Sequence, residues 1–148
     1  MLNRMKWKNA WLCLGPLLVY VLDVTLTLIG QPEAYWAGNL DQAKEGNLFP
    51  RWMMHQHPWL FPLVALVWLP TFCTAILWLP ARFAKVIAFV LQVGHTLAAA
   101  SWIVELVPGS YLVALPFMLL SLKLMNWTWD RVPSDWPPDT ACKTAGGG

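Results

Sequence analysis

Residues 83–107 read FAKVIAFVLQVGHTLAAASWIVELV, an apolar stretch interrupted by only a few polar side chains. A helix that crosses about 30 Å of hydrocarbon needs about 20 residues, at a rise of about 1.5 Å per residue. The stretch is long enough to cross. Small residues at Gly94 and at 98–101 would let neighbouring backbones approach closely. It therefore predicts a transmembrane helix at the centre of a packed bundle.

Three further apolar runs, at 10–29, 59–79 and 111–127, extend this interpretation along the chain. The last of them lies near the lower limit of about 17 residues for a spanning helix. The chain of 148 residues is 57% hydrophobic and only 12% charged, whereas an ordinary soluble domain is about 25% charged. We therefore expect an all-α integral membrane bundle of four transmembrane helices, forming a single membrane domain over residues 1–148.

Basic side chains mark one end of these helices. They stand before the first helix, between the second and third, and at the end of the fourth, as Arg4, Lys6, Lys8, Arg82, Lys85, Lys123 and Arg131. Short segments rich in Lys and Arg stay in the cytoplasm. We therefore expect a multi-pass protein of the cell's inner membrane with both termini cytoplasmic, including a polar tail at 128–148. The net charge of +2 forms no continuous basic patch, which argues against nucleic-acid binding.

Tryptophan is frequent in this chain, with 11 residues. Most of them lie near predicted helix ends, where aromatic side chains form belts at the membrane interface. Trp68 and Trp102 lie deeper, and we expect them to pack between helices. Of the three cysteines, Cys13 and Cys73 lie in apolar runs and Cys142 lies in the tail. This odd number, so placed, predicts no disulfide framework.

The outer loop at 30–58 is too long and too apolar for a free linker. Aromatic and aliphatic side chains recur along it, among them Tyr35, Trp52 and Met54. We expect the loop to fold back on the membrane surface. A short interfacial helix is predicted to begin near Tyr35 and to end near Lys44 or Met54.

Asp23 is the deepest carboxylate of the predicted helices, about 9 Å from the outer end of the first helix by helical rise. An ionisable group at that depth needs a partner or loses its charge. Thr27, one turn later, shares its face of the helix. If the outer ends of the first and third helices are level, Ser101 is the expected partner, whereas His95, about 18 Å deep, is too far away. A structural hydrogen bond and a functional role both remain open.

His95 lies near the middle of the third predicted helix, and Gln92 projects from a similar side one turn earlier. An imidazole in this place suits several roles: ligating a metal, a pigment or a haem, relaying a proton, or donating to a backbone carbonyl. A lone His without a second ligand one turn away is a weak metal signal. We take His95 as the candidate cofactor-binding residue and name no cofactor.

The outer loop holds the densest group of polar side chains. Glu45, His55 and His57 carry three groups that zinc accepts as ligands, so they form the candidate metal set. Asn47 belongs to the same loop, and Glu105 stands at the outer end of the third helix. The alternative is an ordinary hydrated loop in which these side chains reach water.

Asp23 and Thr27, four residues apart, are followed in the outer loop by Glu45 and Asn47. This arrangement resembles the D-x-x-x-T and later E-x-N-P pattern of a family of small uncharacterised prokaryotic multi-pass membrane proteins. Leu48 stands where that pattern has proline. The resemblance implies a similar helical bundle in which these four polar residues meet near the outer face, and it implies no established activity.

Several functions remain open on these observations. A non-catalytic accessory subunit, packed among other integral membrane subunits in the lipid bilayer, agrees with the absence of nucleophile, phosphate-loop and zinc-protease motifs. A membrane-embedded enzyme or metal protein would use the outer loop and Asp23. A small proton-coupled transporter would need an oligomer, because one deep carboxylate makes a thin pathway. His95 also leaves pigment or haem ligation open.

Overall fold

The computed structural model describes residues 2–132, with side chains from residue 9 onward. Six α-helices and a short 3-10 turn, Leu40–Gln42, make up this part of the chain. The helices are α1, Leu2–Ile29; α2, Glu33–Trp36; α3, Leu48–Gln56; α4, Leu60–Trp78; α5, Ala81–Leu106; and α6, Tyr111–Asp130.

Four segments are long and apolar enough to cross a membrane, which confirms the all-α membrane bundle. They are Asn9–Ile29, Leu60–Trp78, Ala81–Leu106 and Tyr111–Asp130. The fourth of these segments, α6, continues to Asp130, past the predicted end at residue 127. The first part of the predicted tail is therefore helical. Residues 133–148, with the rest of that tail and Cys142, lie outside the described residues.

Helices α1 and α5 form the centre of the bundle, because each contacts the other and both contact α4 and α6. Two glycines, one in α1 and one just after it, show how closely these helices approach. A Cβ atom on Gly15 would collide with the side-chain amide of Gln92, and one on Gly30, just after α1, would collide with the Trp102 ring. Because Gly15 pairs with Gln92 and Gly30 with the later Trp102, the two helices run parallel.

The bundle has two differently packed ends. We call the end that carries residues 30–59 and 107–110 the loop side, and the opposite end the terminal side. A core that includes Leu12, Ile76 and Ala84 fills the terminal side between α1, α4 and α5. The buried residues that α5 contributes to this core end at Ala88, and a large cavity lies beside the later part of the helix.

The loop between α1 and α4 folds back on the bundle, as predicted. Instead of one helix it forms α2, the 3-10 turn and α3, with Gly38 (φ 101°) two residues after α2 in a backbone conformation that favours glycine. Tyr35, Met53 and Met54 pack with Phe61 of α4 in a small core. Burial raises the pKa of the Tyr35 hydroxyl, which donates to the carbonyl of Pro58 at 3.4 Å.

Asn9 joins α1 to the end of α4 on the terminal side. Its buried amide donates to the carbonyls of Ile76 and Leu79 at 3.0 and 2.9 Å, where the helix end leaves carbonyls without partners of its own. We expect Asn9→Ala to lower the free energy of unfolding by about 1–2 kcal/mol, measured by thermal unfolding in detergent. Thr71→Ala is the control, because the exposed Thr71 hydroxyl bonds only within α4. Equal stability of the two variants would contradict this bond's role.

Candidate functional site

A cavity of about 1040 Å³ lies between α1, α4 and α5 on the loop side, and residues 44–53 form its roof. Along α5 it extends from Val90 to Glu105, about 22 Å at a rise of about 1.5 Å per residue. Its size reaches the upper end of the range of about 300–1,000 Å³ for small-molecule sites. A long ligand therefore suits the length and volume of the cavity.

The cavity opens sideways between α4 and α5. Trp68, Val90 and Leu97 line it and are 51%, 61% and 53% exposed on the helix surfaces. Trp68 therefore does not pack between helices as predicted, whereas Trp102 is buried as predicted. Gly94 explains part of the gap, because no atom outside its own stretch of helix lies within 4 Å of the position that its Cβ would occupy. Since these helices are candidate membrane spans, the opening faces hydrocarbon.

Asp23 and His95 meet on the wall of this cavity. His95 Nδ1 lies 2.8 Å from Asp23 Oδ2, and the two side chains keep 24% and 12% of their exposure. The Tyr20 ring packs edge-on against the imidazole at 4.7 Å between centroids. This contact holds the ring in place, so the direction of the remaining nitrogen, Nε2, is restricted.

This pairing corrects the prediction that Asp23 and His95 are too far apart. The prediction assumed that the outer ends of the first and third helices are level. In the structure the end of α1 at Gly30 packs against Trp102, one turn before α5 ends at Leu106. Helix α5 therefore extends about one turn further than α1 on the loop side. This offset places His95 at the same level as Asp23.

Ser101 is therefore not the partner of Asp23, because its hydroxyl donates to the carbonyl of Ala98 in its own helix at 2.7 Å. The Tyr20 hydroxyl donates to the carbonyl of Ala65 at 2.8 Å. Asp23 Oδ1 is buried and has no hydrogen-bond partner among the described residues. Neither the Tyr20 hydroxyl nor the Thr27 hydroxyl therefore donates a hydrogen bond to Oδ1 of Asp23. Thr27 is nevertheless buried beside the cavity.

The rim of the cavity carries the charged groups of the loop. Glu45 is buried, and its Oε1 accepts the backbone N–H of Asn47 at 2.8 Å. Arg51 Nε donates to the backbone carbonyl of Glu45 at 2.6 Å. Lys44 of the loop pairs with Glu105 of α5 at 3.1 Å, at the loop-side rim of the cavity. The four residues that carry the family resemblance, Asp23, Thr27, Glu45 and Asn47, all line this cavity.

The candidate metal set is not assembled. His55 Nδ1 lies 3.5 Å from an oxygen of Asp41, and His57 Nδ1 accepts the backbone N–H of Trp59. Neither imidazole lines the cavity that contains Glu45. Within residues 2–132, no group of three or more His, Cys, Asp and Glu side chains is placed to hold a metal ion.

Gln92 belongs to a different polar cluster, between α5 and α6. Its Nε2 donates to the backbone carbonyl and to the hydroxyl of Ser121, at 2.7 and 3.2 Å. Thr96 joins the same hydroxyl at 2.7 Å. Thr96 and Ser121 could not be singled out from the sequence, because an isolated hydroxyl in an apolar run carries no spacing signal. This cluster is fully buried and is separate from the large cavity.

The Asp23–His95 pair has a defined chemistry. A carboxylate that accepts Nδ1–H orients the imidazole and fixes its tautomer, so that Nε2 can accept a hydrogen bond or a proton from a bound molecule. The pair is therefore suited to hold a polar group of a bound molecule, or to act as a base toward it.

Comparison of the chain with known protein families, with curated proteins and with solved structures finds no match. The family resemblance is therefore still a prediction.

Proposed function

We propose that this chain is a membrane-embedded binding protein that takes an amphipathic molecule from the bilayer into the cavity between α4 and α5. The observation that carries this proposal is the Asp23–His95 pair on the wall of a cavity that opens toward hydrocarbon. Paired ionisable groups inside membrane spans are costly and are found mostly at functional sites. A purely structural bundle needs neither the pair nor the open space beside it.

The walls of the cavity support a ligand that is mainly apolar. Phe61, Val64 and Leu91 line it, and the polar atoms lie at the pair and at the rim. A small number of placed polar groups on an apolar wall is the usual composition of a small-molecule site. The pair then orients the ligand and provides a base at Nε2, whereas the walls supply most of the binding free energy.

We also propose that the loop side faces the outside of the cell. The basic residues Arg82, Lys85 and Arg131 all stand on the terminal side, as the positive-inside rule requires of a cytoplasmic face. In that orientation the cavity is open to the outer leaflet. Its ligand would enter from there.

The test is lipid retention. Wild-type protein purified in a mild detergent is expected to carry about one lipid molecule per chain, identified by mass spectrometry after extraction. Gly94→Leu places a side chain in the open space, so we expect the retained lipid to fall well below one molecule per chain. Leu119→Trp is the control, because Leu119 lies on the exposed surface of α6. Equal retention by all three proteins would refute the binding function.

An accessory subunit is the second candidate, and one observation favours it. Leu48, Phe49 and Trp52 of α3 lie outside the candidate spans and are exposed, which leaves an apolar surface for a further contact. The same purified sample decides this, because an accessory subunit copurifies with larger membrane proteins in fixed ratio. Transport and pigment or haem ligation remain predictions that no single contact here favours.

A further inference from the structure

The charged groups that line the cavity do not favour an anionic ligand. Three acidic residues and two basic residues line it, namely Asp23, Glu45, Glu105, Lys44 and Arg51. With a neutral imidazole their sum is −1, as −3 and +2. Lys44 already faces Glu105, and Arg51 already donates to the carbonyl of Glu45. A phosphate headgroup would therefore meet an excess of negative charge.

The depth of the Asp23–His95 pair is a second reason why a charged headgroup is disfavoured there. His95 lies ten residues before Glu105 on α5, which is about 15 Å along the helix at about 1.5 Å per residue. A charged group that far from the rim loses its hydration without gaining a free counter-charge. A small neutral group, such as a hydroxyl, reaches this depth at a much lower cost.

The pair itself selects a donor over an acceptor. When Nδ1–H donates to the Asp23 carboxylate, Nε2 of His95 carries a lone pair and accepts a hydrogen bond. A ligand hydroxyl donates to that nitrogen. An ether of the same shape does not, and it would leave the nitrogen without a partner.

Resting on the binding function proposed above, we infer that the ligand is a neutral lipid that bears a hydroxyl group, with that hydroxyl at His95 Nε2 and its apolar chain along the wall formed by Val90 and Leu97. Phospholipids and lipid phosphates are the molecules that the cavity discriminates against. The lateral opening lets such a lipid enter from the bilayer without passing through water.

Three probes with one tail test this inference: farnesol, farnesyl methyl ether and farnesyl phosphate, each added to wild-type protein in detergent. Ligands that bind the folded state raise the unfolding midpoint, so each apparent Kd follows from a titration of that midpoint. We expect farnesol to bind about tenfold more tightly than the ether or the phosphate, because only the alcohol supplies a donor without charge. The double variant Asp23→Leu with His95→Phe should bind farnesol and the ether equally.

Two variants separate the possible failures. Gly94→Leu should weaken farnesol and ether alike, because both chains need the cavity. If it weakens neither, nothing binds in the cavity and the proposed function itself fails. If it weakens both but the alcohol and the ether bind equally in wild-type protein, the cavity binds lipid and the assignment of a hydroxyl ligand is wrong. A third result would also overturn the assignment. If farnesyl phosphate binds most tightly of the three probes, and Arg51→Gln weakens its binding, the cavity prefers an anionic headgroup.

Discussion

Replacing His95 with phenylalanine is expected to destabilise the protein by about 3 kcal/mol, the upper end of the range for leaving a buried polar group without its hydrogen-bond partner. The carboxylate of Asp23 would keep its buried position and lose its partner at 2.8 Å. Asp23→Leu combined with His95→Phe removes both polar groups, and it should return stability to within about 1 kcal/mol of wild type. The measurement is the free energy of unfolding of the four proteins of this double-mutant cycle.

The matched control is the ion pair at the loop-side rim of the same cavity. Lys44 and Glu105 lie 3.1 Å apart, but their side chains are 57% and 51% exposed. Exposed pairs contribute about 0–1 kcal/mol, so Lys44→Met should change stability little. If His95→Phe is as mild as Lys44→Met, or if the double variant is as unstable as the two single changes added together, the two side chains are not paired.

Alanine at Gly15 and alanine at Gly94 are expected to act with opposite signs. Gly→Ala inside a helix ordinarily gains about 0.5–1 kcal/mol of stability. At Gly15 the new methyl group meets the amide of Gln92, which its bonds to Ser121 hold in place. Overpacking of this kind costs about 1–3 kcal/mol, so Gly15→Ala should be less stable than wild type.

At Gly94 the methyl group enters open space, so the helical gain should remain and Gly94→Ala should be as stable as wild type or more so. Both variants are compared by unfolding in the same detergent. A loss of stability at Gly94 similar to that at Gly15 would mean that α4 closes on α5. The cavity would then not exist in the folded protein.

The helical bundle could be predicted from the sequence because hydropathy over about 20 residues reports directly on the ability to cross a membrane. The depth at which residues of two helices face each other could not be predicted in this way. Apolar length does not say that α5 extends a turn past Trp102, the residue that packs on Gly30. That offset is what brings His95, rather than Ser101, to Asp23.

The candidate site was predicted in part for a similar reason. Asp23 and His95 stood out because ionisable groups are rare in apolar helices, and Glu45 stood out as a possible metal ligand in the loop. All three line the cavity. The spacing of His55 and His57 also stood out, but it says nothing of the direction in which a loop turns its side chains. The open space beside Gly94 depends on the distance between two helices, which no local pattern encodes.

The pairing of Asp23 with His95 inside the membrane is tested most directly by the ¹⁵N NMR spectrum of His95 in lipid bilayers. His55→Gln and His57→Gln leave His95 as the remaining histidine, since the chain has 3. We expect the Nδ1 signal to show a strong hydrogen bond to a carboxylate and to shift when Asp23→Leu removes it. An Nδ1 signal that is the same with and without Asp23 would contradict the pairing and, with it, the site proposed for this protein.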